Sequence, residues 1–149
     1  MAEAWAIHDR IHRFLFAAVP DAALSAVSSS KGRSVAEQFA HIHNVRLMWL
    51  KAAMPAALAG LTKLEKTALD RKSLSSELEK SGAAIARLLE QAAADGDRVK
   101  GFKPHGTAFF AYLVSHESHH RGQIVLTLKQ AGFPVDKKIA YGIWEWGSR

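Results

Sequence analysis

The chain has 149 residues, enough for one ordinary domain with a hydrophobic core, and a single domain over 1–149 is expected. Apolar residues make up 48% and charged residues 23%, as in soluble globular proteins, and no run approaches the ~18 apolar residues of a membrane span. There is no cysteine, which removes disulfides, thiolate nucleophiles and cysteine metal sites together and leaves any metal to His, Asp, Glu or water.

The first segment, "MAEAWAIHDRIHRFLF", mixes acidic and basic residues into its apolar part, so it does not read as a secretory signal, and a cytoplasmic location is the default expectation. Its periodicity is helical from about Glu3 to Val19, with Trp5, Ile11, Leu15 and Val19 on one face and Pro20 as the stop. His8 and His12 lie one turn apart in this helix. Flanked by Asp9 and Arg13, they read as solvated or as outer support for a site elsewhere, with a site on the first helix itself as the alternative.

A second helix opens at "SVAEQ", where Ser34 and Glu37 form a capping box, and runs through Phe39, Ile42, Leu47 and Leu50 to just before Pro55. A third spans about Ser73 to Ala94, with Leu74, Leu78, Ile85, Leu88 and Leu89 as its stripe and "ADGD" as its stop. The fourth runs from near Thr107 to Ala131, with Gly132 at its C-terminal end and Pro134 beyond. Alternating β-branched runs are absent. The expected fold is therefore all-α, a four-helix bundle with a short aromatic C-terminal tail, "IAYGIWEWGSR", packed across one end. The connections Ala56–Lys72 and Gly96–Gly106 are long enough for crossovers.

The fourth helix carries "HESHHRGQ", His116 to Gln123. At about 100° per residue, His116 and His120 share a face on adjacent turns and can aim at one cation, whereas His119 points about 100° away from His120. A reactive metal needs three protein ligands and an open position. Helix two offers "HIHN", but His41 and His43 face about 160° apart, so at most one of them can reach the pair. Spacing alone does not choose between them.

"FFAYLVSHESHHRGQIVLTLKQAG" resembles the fourth-helix signature of the DinB/YfiT-like family: a histidine, three residues, then His-His-Arg-Gly-Gln. "SVAEQFAHIHNVRLMWL" is similar to the family's second helix, in which a histidine precedes a Trp-Leu pair by eight residues; here these are His41, Trp49 and Leu50. "AIHDRIHRFLFAAVPDAAL" is similar to the family's opening helix, while helix three carries nothing distinctive. The resemblance implies a four-helix bundle that holds a divalent metal, Zn²⁺ or Ni²⁺, on three histidines. By position these are His41, His116 and His120. His119 matches a histidine that is not normally a ligand, and His43 has no reserved place and is expected to pack in the core.

The resemblance further implies a metal-dependent thiol S-transferase, using a low-molecular-weight thiol as cosubstrate, or a hydrolase acting on a small molecule. With no cysteine in the chain, the thiol would have to come from a cosubstrate. Glu117 and Glu37 are candidates for fixing the ligand rings, Arg121 for orienting an anionic substrate, Gly122 for close helix packing, Gln123 for the pocket lining, and Tyr112 and Trp49 for its walls. The alternatives are a metal-stabilised bundle without catalysis and a basic nucleic-acid-binding module. The net charge of +6 allows the latter, but its Lys and Arg residues are scattered and only "RVKGFK" and "VDKK" cluster, so nucleic acid is not the favoured partner. A homodimer is expected from the habits of helical bundles.

Overall fold

Five α-helices and three short 3₁₀ turns, with no strand among the described residues, form the computed structural model, which describes residues 1–149 apart from the side chain of Ala68. The helices are α1 (Ala2–Ala18), α2 (Val35–Ala53), α3 (Arg71–Ala94), α4 (Gly106–Gln130) and the short α5 (Lys137–Gly142). No helix among the described residues is long and apolar enough to cross a membrane.

The helix starts follow from their caps. The Ser34 side chain accepts from the Glu37 amide while Glu37 accepts from the Ser34 amide, so the capping box forms at α2. Asp70 and Asp136 cap α3 and α5 through the amides of Ser73 and Ile139. At the end of α4, Gly132 adopts a φ of 85°, the left-handed conformation that glycine reaches without steric penalty. The aromatic tail packs on α1, where the Arg149 guanidinium lies 3.8 Å from the centroid of the Phe14 ring.

α3 packs against both α1 and α2, and α2 also lies along α4. α2 and α4 are antiparallel. Gln38 approaches Thr127 at one end, His41 faces His120 further along, and Trp49 meets Phe109 and Tyr112 at the other end.

The core is divided. One apolar cluster holds Ile11, Leu15, Phe39, Ile42, Leu78 and Ile124; the other holds Trp5, Leu50, Ile85, Leu89, Phe109 and Leu113. Between them each of the four long helices contributes buried polar groups: His8, Asp9 and His12 from α1, Arg46 from α2, Ser81 from α3 and Glu117 from α4. This layer corrects the expectation for α1, because His8 and His12 are both 0% exposed rather than solvated.

Arg46 is the hub. Its Nε and Nη2 donate to the two carboxylate oxygens of Glu117 at 2.7 and 2.8 Å, and Nη1 donates to Asp9 Oδ1 at 2.9 Å and to the Leu78 carbonyl at 3.0 Å. Burial alone would raise the pKa of Glu117 and lower that of Arg46. The pairing outweighs burial in both, so Glu117 is held well below the usual carboxylate range and Arg46 is pushed up.

Candidate metal centre

His41 projects from α2, and His116 and His120 from α4, into one half-buried spot beside the polar layer. One ring nitrogen from each of the three lies within 4.8 Å of those of the other two. The Nε2 atoms of His41 and His116 are 3.3 Å apart. Bonds of about 2.0 Å arranged tetrahedrally place ligand atoms about 3.3 Å from one another, so this spacing suits two ligands of one Zn²⁺-sized ion. The His120 ring centroid stands 4.6 Å from that of His41 and 4.8 Å from that of His116.

Burial holds all three imidazoles below the ordinary histidine pKa. For His120 the neighbouring His116 and His41 add to burial and bring the value to about 4; for His41, Arg33 and His116 add to it. At neutral pH the rings are therefore uncharged and carry the lone pair a metal needs. His120 Nδ1 lies 3.1 Å from Gln123 Oε1 and, as the donor, carries the ring proton, which leaves Nε2 unprotonated. Tyr112 stacks on His116 with centroids 6.1 Å apart and ring planes 19° from parallel. Trp49, Phe102 and Phe109 continue the aromatic wall beyond it.

Of the two histidines left open in helix two, His43 faces away from α4. It is 0% exposed, with its nitrogens 3.0 Å from the Glu77 carbonyl and 2.9 Å from the Thr62 carbonyl. It therefore ties α2 to α3 and to the connection between them. His119 is exposed and lies beside His120 rather than among the three.

The ring-fixing role expected of two glutamates is corrected. Glu117 points to the other side of α4, where Arg46 and His8 hold it, and Glu37 completes the α2 cap and pairs with Lys66 at 3.1 Å. Gln123 supplies that contact instead. Arg121 is buried on the side of α4 facing α1 and α5 and donates to Ser118, so it does not line this spot. A Cβ at Gly122 would meet nothing within 4 Å, so no helix of this chain packs closely there.

His8, His12 and Glu117 form a second group with ligand-like spacing. Both oxygens of this carboxylate already accept from a guanidinium, and His8 Nε2 donates to Oε2 at 3.1 Å. A cation there would sit against the fixed positive charge of Arg46. The group is therefore better understood as part of the polar layer than as a metal site. Arg46 and this layer escaped the reading of the sequence. One signal was present: Trp5, His8, His12, Leu15 and Val19 follow a spacing of three and four residues, which places the two histidines on the core stripe.

Residues 1–144 match the DinB family, and the chain belongs to it. No curated protein and no solved structure gives a match.

Proposed function

We propose that this member of the DinB family is a divalent-metal-dependent enzyme, a thiol S-transferase or hydrolase, holding Zn²⁺ or Ni²⁺ on His41, His116 and His120. The observation that carries the proposal is the convergence of three neutral imidazoles from two helices, with two Nε2 atoms at a separation suited to a shared ion. Three ligands leave a coordination position for water or substrate. Such an ion, when bound, acidifies a coordinated water or thiol and so supplies a nucleophile at neutral pH.

The chain does the positioning. Gln123 fixes the tautomer and orientation of His120, and Tyr112 limits the rotation of His116 by stacking on it. The aromatic wall of Trp49, Phe102 and Tyr112 narrows access of water from that end. The thiol, if that is the cosubstrate, is external, because the chain has no cysteine. The proposed partners are small molecules and a second copy of the chain rather than nucleic acid.

Elemental analysis of protein purified without a histidine tag is the direct test. About one equivalent of metal is expected, falling sharply in each of His41→Ala, His116→Ala and His120→Ala. Less than about a tenth of an equivalent after reconstitution would end the proposal.

A further inference from the structure

A small cavity of about 250 Å³ between the α1–α2 connection and α4 adjoins the three histidines through Gln123. Lys31, Arg33, Gln38, Gln123 and Thr127 are among its lining residues, and none of the lining residues is acidic. Gln123 belongs both to this cavity and to the hydrogen bond that orients His120.

Two cationic side chains of the cavity are without a partner among the described residues. Arg33 is exposed and, like Arg87 and Arg98, makes no ion pair or side-chain hydrogen bond among the described residues; of these three it alone lines this cavity. Lys31, two residues away, is also exposed and unpaired among the described residues. Gln38 is 4% exposed; its amide nitrogen approaches Thr127 Oγ1 at 3.5 Å, while its Oε1 is buried without any partner. That oxygen can only accept a hydrogen bond, so a carboxylate does not complete it, and the two cationic side chains are what mark the cavity for an anion. Arg33 and Gln123 line the same cavity, and Gln123 bonds His120, so one residue joins the guanidinium's cavity to the imidazoles.

We infer that this cavity is the substrate subsite of the metal centre, and that it selects a small molecule bearing a carboxylate, which Arg33 receives while the ligand's sulfur or oxygen reaches the ion. The inference rests on the metal-centre reading above and adds the class of ligand. The planar guanidinium matches a carboxylate in shape as well as charge. The small volume favours a ligand of few heavy atoms over a bulky one.

The test uses the Co²⁺-loaded protein and two probes of equal length, 3-mercaptopropionate and 3-mercapto-1-propanol, at low ionic strength. Thiolate-to-cobalt absorption gives each affinity, and the cobalt d–d bands report separately that the three-histidine site is filled. The wild type is expected to prefer the carboxylate probe, and Arg33→Gln to lose about three- to fivefold of that preference, the range for one exposed ion pair. Arg33→Lys should keep part of the preference, because charge survives while the planar fork does not. An unchanged preference in Arg33→Gln, with cobalt bands intact, overturns the subsite and leaves the metal centre standing. Absence of cobalt bands in the wild type overturns both.

Discussion

Glu117→Gln preserves shape and removes one charge from the middle of the bundle. The carboxylate accepts from Arg46 at 2.7 and 2.8 Å and from His8 at 3.1 Å, with side chains no more than 1% exposed. Glutamine can accept at one oxygen only, so its amide hydrogens would face a guanidinium donor or an imidazole N–H. Arg46 would keep Asp9 as its sole buried counter-ion. Hydrogen bonds to charged groups contribute about 1.5–3 kcal/mol each, and removing one member of a buried pair costs about 3–5 kcal/mol. For a chain of this length that amounts to a fall in Tm of roughly 6–20 °C. Urea unfolding of the metal-free variant, followed by far-UV circular dichroism, should show a lower midpoint with an unchanged slope. A loss below about 1 kcal/mol, the value of an exposed pair, would refute a sealed polar layer. Arg46→Met combined with Glu117→Leu should recover part of the loss, because neither partner is then left buried alone, and Asp9 keeps Arg13 although His8 loses its acceptor.

Gln123→Ala should weaken metal binding by about tenfold or more while leaving the circular dichroism spectrum unchanged, as measured by competition with a chelator. His12, His41, His116 and His120 all have folded pKa values below the unfolded 6.5, so the unfolded chain binds protons first. Their contribution to stability is therefore complete above pH 6.5 and is lost as pH falls from there towards about 4, the folded value of His120. Urea midpoints of the metal-free protein should decline across that window, less steeply in His120→Asn; a flat profile would contradict the burial of these rings. Gly82→Ala should destabilise by about 1–3 kcal/mol in the same unfolding assay, although alanine is the better helix former. Its Cβ would collide with the Asp9 carboxylate, and the Gly82 carbonyl already accepts from Trp5 Nε1 at 2.8 Å.

What could be read from the sequence depended on how local its cause was. The capping box at Ser34, the stop before Pro55 and the leucine stripe of α3 are decided within a turn or two, and the structure has them. His116 and His120 share a face because helix geometry requires it. The choice between His41 and His43 depends on which helix lies against which face of α2, and spacing is silent on that. Nothing within a few turns of Arg46 marks it as a core residue, because its partner Glu117 lies 71 positions away. His8 and His12 are buried rather than solvated because their place on the core stripe outweighs their charged neighbours Asp9 and Arg13. Glu117 was assigned to the wrong side of α4: it directly follows His116, but at about 100° per residue adjacent side chains diverge.

The division of the interior into two dry halves with an ionic waist has a mechanical consequence. If α2 slid along α4 by one turn, about 5.4 Å, the guanidinium of Arg46 would leave Glu117 and lie opposite Leu113 or Arg121, with no carboxylate of α4 to receive it. The waist thus acts as a key in a slot that fixes the axial setting of these two rods. The imidazoles ride on the same pair, so their mutual spacing is set before any ion arrives, and loading should leave the shape of the bundle unchanged.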